Sequence, residues 1–329
     1  MATKKTTKTT AATKTVPATA KKTKPEAFDE AKLMAFVEKA VGEFGVIASA
    51  ALVVIGDKLG LYQTMADGKP VTSAELASRT KTTERYIREW LINQAASGIV
   101  AYDPATHRYR LPPEHAVALT DQSSPAYVVG GYQLLTAMLH AEPRITEAFR
   151  TGAGMPWGEH DPDLFQGTER FFRPGYSANL VDTWIPALDG VQAKLVAGAA
   201  VADIGCGHGA STIIMAKAYP QSRFYGFDNH APSIEAARAR AKDAGVAKRV
   251  TFEVASAQDF PDHRYALVAF FDCLHDMGDP VGALKRTRAT IDPDGTVLLV
   301  EPMAGTVIEE NFNPVGRIYS AASVLCCTP

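Results

Sequence analysis

Val201-Ala202-Asp203-Ile204-Gly205-Cys206-Gly207-His208-Gly209, followed by a helical run over 211–218, is the stretch whose reading decides the fold. It reads as a strand that stops at a glycine turn and continues as a helix, which is where open α/β sheets hold an adenosine-containing cofactor. A dinucleotide fold uses G-x-G-x-x-G, whose last glycine lets the helix pack closely on the strand. Here the third glycine comes one residue early, giving D-x-G-x-G-x-G. Such a turn can also be a tight loop with no ligand. The strand before it, the helix after it and an acid at the next strand end argue for a binding turn. From 196 onward the pattern alternates strand and helix, with strands expected over 201–205, 223–228, 250–254, 266–271 and 296–301. That alternation implies a parallel sheet with helices on both faces, and right-handed crossovers gather its carboxyl ends at one crevice.

The strand ends supply the candidate groups. Gly205, Gly207 and Gly209 allow close approach of backbone to a ligand. The second strand closes on Phe227-Asp228-Asn229, and an acid about twenty residues beyond the glycines can accept both ribose hydroxyls. Asn229 follows where adenine should lie. The third strand runs into Ala255-Ser256-Ala257-Gln258-Asp259, and the fourth into Phe270-Phe271-Asp272-Cys273-Leu274-His275-Asp276-Met277.

The D-x-G-x-G-x-G turn resembles the first motif of class I S-adenosylmethionine-dependent methyltransferases. The segment around His275 is similar to the Leu-His-Asp-Trp segment of the small-molecule O-methyltransferases, with Met277 where tryptophan is usual. The resemblance implies S-adenosylmethionine as cofactor, a small-molecule acceptor, and a Rossmann-like methyltransferase sheet preceded by a winged-helix domain. It implies that Asp203 helps hold the cofactor's ammonium group, that Ser256 and Ala257 border the adenine, and that Phe271 and Asp272 also face the cofactor. Ser256 stands where relatives carry an acid, so Asp259 is an alternative partner. It further implies His275 as the general base for a hydroxyl acceptor, oriented by Glu301, with Asp276 towards the substrate. His275 could instead cap the following helix or contact cofactor without moving a proton. Cys206 and Cys273 read as small fillers.

Residues 28–120 read as a winged helix. Helices are expected over 31–44 and 47–58, the second ended by Gly60; Thr72 with Glu75 is a capping-box signature; a further helix runs to Gly98; and Asp103-Pro104-Ala105-Thr106 turns between two short strands. On the would-be recognition helix Lys81, Arg85 and Arg88 are opposed by Glu84 and Glu89, too balanced for a groove-reading helix. A DNA-binding regulator is therefore the alternative reading; in the resembling family this module forms a homodimer. Residues 121–195 form a helical linker whose lengths are set by Pro125, Pro143, Pro156, Pro174 and Pro186. Trp157 and Tyr176 in it could line a pocket or pack between domains, and His160 reads as a surface or hydrogen-bonded histidine.

Composition limits the partners. The 329 residues carry net charge -2, which demands neither nucleic acid nor an anionic membrane. Cys206, Cys273, Cys326 and Cys327 form no C-x-x-C pair, so no metal site is expected. The apolar run 44–55 is too short to span a bilayer, and the 1–27 segment of Thr, Ala and Lys reads as a disordered basic tail. A cytoplasmic protein is the plain expectation. The 196–329 domain shows no strands after Glu301, so it reads as lacking its C-terminal hairpin, with 296–301 left as an unpaired apolar edge.

Overall fold

The structure is a computed structural model that describes residues 27–328, so the expected disordered tail falls outside the described residues except for Ala27. The chain divides into two compact units, Met1–Phe44 and Gly45–Pro329. One helix, α1 (Glu30–Lys58), replaces the two expected helices. Gly42 and Gly45, with nothing within 4 Å of where a side chain would begin, leave its backbone intact. By length and composition this 29-residue helix could cross a membrane, so the exclusion based on the shorter run 44–55 does not hold. Several of its apolar side chains are exposed, Phe36 at 69% and Ile47 at 60%, while Val53 is buried.

The winged helix follows the sequence closely. Gly60 at φ 66° stops α1 before α2 (Leu61–Met65). Thr72 and Glu75 form the reciprocal capping box of α3 (Ser73–Thr80). In α4 (Glu84–Ala96) Ile87, Trp90 and Leu91 are buried, while Arg85 pairs with Glu89 and Arg88 with Glu84, so each arginine charge on the helix is matched in place. Strands β1 (Ala101–Asp103) and β2 (Arg108–Arg110) pair as the antiparallel wing, and α5 (Pro113–Thr120) follows.

In the linker, α6 (Val129–Met138), α7 (Glu142–Thr151) and α8 (Pro162–Asn179) form a helical layer. Pro174 was expected to end a helix. Instead it lies inside α8. It supplies no N–H for the Arg170 carbonyl, and the gap this opens is filled by another backbone. A Cβ on Gly130 would lie 2.5 Å from the Arg170 carbonyl carbon, and one on Gly167 would lie 2.5 Å from the Leu134 nitrogen. The two helices thus touch backbone to backbone. The crossing is locked by Arg170, which donates to Asp57 at 2.8 Å, to Gln133 at 2.7 Å and to the Tyr127 hydroxyl. Removing one partner of such a buried ion pair costs about 3–5 kcal/mol, because the other charge stays buried.

After α9 (Val191–Ala197) come β3 (Ala200–Ile204), α10 (Ala210–Ala218), β4 (Arg223–Asp228), α11 (Ala231–Asp243), β5 (Val250–Val254), β6 (Tyr265–Phe271), α12 (Pro280–Thr290), β7 (Ile291–Val300) and α13 (Pro314–Ala322). The five strands are parallel in the order β5-β4-β3-β6-β7. All seven residues of β6 are buried, the continuous apolar run expected of a parallel strand covered on both faces. β7 begins five residues earlier than the sequence suggests, through an irregular pairing beside Tyr265 and Leu267. Among the described residues it pairs only with β6, and Val297 and Leu299 remain 39% and 48% exposed, as the edge reading expects. The order reverses between β3 and β6, so the crevice for a ligand opens beyond the carboxyl ends of those strands.

Because α8 carries one wall of that crevice, its seating on α6 is testable. Gly167→Ala is expected to lose about 2 kcal/mol in urea denaturation, as overpacking does. Gly175→Ala, on the same helix but with nothing within 4 Å of its Cβ position, is expected to be neutral or slightly stabilising. Equal effects at the two positions would contradict the backbone-to-backbone seat.

Candidate functional site

The glycine turn is built by three left-handed backbones in alternation, Gly205 at φ 70°, Gly207 at 50° and Gly209 at 76°. Side chains rarely adopt that region, which is why each position is glycine. The Gly205 and Cys206 amides both donate to the Phe227 carbonyl, at 2.8 and 3.0 Å, and this joins the turn to the end of β4. There the Asp228 carboxylate accepts from the Gly207 N–H and from the His230 N–H, each at 2.8 Å. Burial pushes the Asp228 carboxyl up, against the pull of those two amides.

A cleft of about 720 Å³ opens beside this turn. It is lined by Gly205, Gly207, Asp228, Asn229, Ser256, Ala257, Phe271, Asp272, His275, Asp276, Trp157 and Tyr176, so twelve of the fifteen candidate residues meet there. Asp203, Gly209 and Glu301 stand behind its wall. Ser256 is tied to its alternative: its hydroxyl donates to Asp259 at 2.6 Å, so the two form one group.

Asp203 is 1% exposed and lies beneath the turn, where Oδ2 accepts from Ser211 Oγ at 2.6 Å and from Thr212 Oγ1 at 2.5 Å. These bonds fasten the end of β3 to the first turn of α10. Its other oxygen, Oδ1, is buried and has no partner among the described residues. Burial raises the carboxyl to about 6, with the two hydroxyls opposing. The orphaned oxygen leaves room for one more donor, but it lies behind the cleft wall and not on it.

At the end of β6, Asp272 adopts φ 51°, an uncommon conformation for a non-glycine residue. It is held by its N–H on the Val300 carbonyl at 2.7 Å and by the Tyr176 hydroxyl, which donates to Oδ2 at 2.7 Å. Burial lifts Asp272 to about 6. Tyr176 therefore spends its polar tip on positioning Asp272 and shows the cleft its ring. Trp157 packs edge-on against Phe165 at 5.3 Å, whose ring stacks on His230 at 4.2 Å. Both wall and packing readings of Trp157 and Tyr176 thus describe the same residues.

His275 and Glu301 meet as the sequence suggested. Nδ1 lies 2.5 Å from Glu301 Oε2, while Glu301 Oε1 accepts from the Leu274 N–H at 2.9 Å. The Cys327 thiol beside it and the Glu301 carboxylate raise the imidazole to about 9, against burial. Cys326 and His275 together draw Cys327 below the usual thiol range. Burial pushes neighbouring Asp276 up to about 7. Cys327 was missed by sequence reasoning, because nothing in the spacing of an adjacent pair fifty residues away signals this contact. His208, inside the motif, was also passed over; it lines the cleft, and burial holds it down at about 4. His160 is neither exposed nor bonded: it is 5% exposed and neither ring nitrogen has a partner among the described residues, contrary to expectation. Cys273 does act as a filler, with its thiol against the Ile204 carbonyl at 3.1 Å.

Two family models match the chain, an Rv2258c-like winged HTH domain over residues 47–121 and a methyltransferase domain over 195–323. The 27-O-demethylrifamycin SV methyltransferase of Amycolatopsis mediterranei (strain S699) is 34% identical over 131 residues, 37% of this chain. That match spans about half the relative's length, 48%. Among solved structures, the mitomycin 7-O-methyltransferase superposes with TM-score 0.66 at 21% identity, covering 91% of this chain and 88% of that one. Human N-acetylserotonin methyltransferase, solved with S-adenosylmethionine, gives 0.61 at 17%, covering 92% and 88%. The chain therefore carries a winged HTH domain followed by a methyltransferase domain, and it shares the overall fold of those structures.

Burial of the Asp203 carboxyl makes stability depend on pH. Its folded value of about 6 exceeds the ordinary 3.8, so the folded chain holds the proton more tightly. The stability this contributes is complete below about pH 4 and is lost as pH rises through about 6. In the ligand-free protein, the stability of the native chain relative to Asp203→Asn is expected to fall by about 2–3 kcal/mol between pH 4 and pH 7 in urea denaturation. A pH-independent difference would mean that Asp203 is not desolvated under the turn.

Proposed function

We propose that the chain transfers a methyl group from S-adenosylmethionine to a hydroxyl of a small apolar acceptor, with His275 as general base. One observation carries this reading: the glycine turn, Asp228 and the His275–Glu301 pair open on one cleft. The glycine turn suits a zwitterionic amino-acid end, and Asp228 suits a ribose diol. Bound there, S-adenosylmethionine would supply an already activated methyl group.

What remains for the chain is alignment and removal of one proton. Glu301 accepts from Nδ1, which leaves the other ring nitrogen of His275 to take the acceptor's proton, and the carboxylate then supports the imidazolium. For that to happen the acceptor hydroxyl must replace Cys327 beside the ring, which removes the contact that contributes most to keeping the imidazole protonated. Met155, Trp157, Phe165, Phe172 and Met277 give the cleft an apolar, aromatic lining, which favours a flat acceptor over a charged one.

With an acceptor found by screening hydroxylated aromatics, His275→Gln is expected to lower kcat by about 10²–10⁴ while leaving cofactor affinity intact. Glu301→Gln is expected to lower kcat by a smaller factor. Full turnover by His275→Gln on every acceptor that the native chain methylates would remove the base assignment.

A further inference from the structure

His275, Asp276 and Cys327 each turn one ligand atom towards a common point, and those atoms lie within 4.8 Å of one another. All three residues line the cleft. We propose that they form a binding site for a zinc-type divalent cation, with a fourth position open to the cleft.

The donor set selects the ion. A thiolate and an imidazole suit zinc and its neighbours in softness, whereas magnesium and calcium take oxygen ligands almost exclusively. One thiolate, one imidazole and one carboxylate give three protein ligands, the number found where zinc keeps an open position for water or for an oxygen of a bound molecule. Zinc bonds of about 2.0–2.3 Å place tetrahedral ligands nearer together than these atoms now lie, so closure by about an ångström completes the site.

A second observation is independent of the cluster. Histidines that bind metal commonly donate their other ring N–H to a carboxylate, which fixes the tautomer and the plane of the ring. His275 Nδ1 donates in this way to Glu301 Oε2 at 2.5 Å, and Glu301 is itself anchored by the Leu274 N–H. That bond occupies Nδ1 and leaves Nε2 as the ring nitrogen able to take a cation. A path for the ion exists through the cleft. Cys327 comes from the segment after α13, fifty residues along the chain from His275, so the site forms only when that segment packs as it does here. A cation on that nitrogen prevents it from taking a proton, so metal binding and the base role of His275 exclude each other.

The binding claim does not depend on methyl transfer and can be read on the full chain alone. Cobalt(II), titrated into the native protein, is expected to give a saturable thiolate-to-cobalt absorption band at one ion per chain. Cys327→Ser should abolish the band, Cys326→Ser should keep it, and His275→Gln and Asp276→Asn should each weaken binding at least tenfold. Circular dichroism establishes that each variant is folded. An unchanged band in Cys327→Ser, loss of the band in Cys326→Ser with Cys327 intact, or no saturable band in the native chain would overturn the proposal.

Discussion

The hydrogen bond from the Gly207 N–H to the Asp228 carboxylate, at 2.8 Å, is the constraint on which the site rests. It joins the turn after β3 to the end of β4, and the same carboxylate also takes the His230 N–H at the start of α11. Glycines follow with least strain the alternating left-handed path that brings this amide to the acid. Beneath the turn Asp203 fixes β3 to α10 through two hydroxyls, so the loop is held from below and from the side. What results is a rigid, polar floor at the point where the strand order reverses.

The opposite wall depends on a different economy. α8 brings Phe165, Phe172 and Tyr176 to the cleft, and it can do so because Gly130 and Gly167 allow two backbones to touch. Buried Arg170, shared among Asp57, Gln133 and Tyr127, sets the angle of that contact. Tyr176 then reaches across to Asp272, whose unusual backbone directs the segment carrying His275. Fold and chemistry are thereby linked by single side chains.

Much of this was legible in the sequence because it is local. The D-x-G-x-G-x-G spacing, the Thr72 capping box and the five parallel strands follow from signals within one element or from the handedness of crossovers, whereas the meeting of His275 with Glu301 was implied by the family resemblance. What was not legible depends on partners distant in sequence. Gly45 reads as a break but stays helical in α1, and Pro174 reads as a stop but is accommodated because Gly130 packs against the carbonyl it frees. Asp203 reads as a ligand, and its burial under two hydroxyls appears only once α10 is folded back on β3. Cys327 gives no sequence signal at all, since its neighbours in space are remote along the chain.

We propose that the Gly207–Asp228 floor holds S-adenosylmethionine. Calorimetric titration of the purified chain with S-adenosylhomocysteine, the demethylated product, tests it most directly. Saturable one-to-one binding that Asp228→Ala weakens at least tenfold, without loss of fold, is the result the account requires. No binding by the native chain, or equal affinity in the variant, would contradict it.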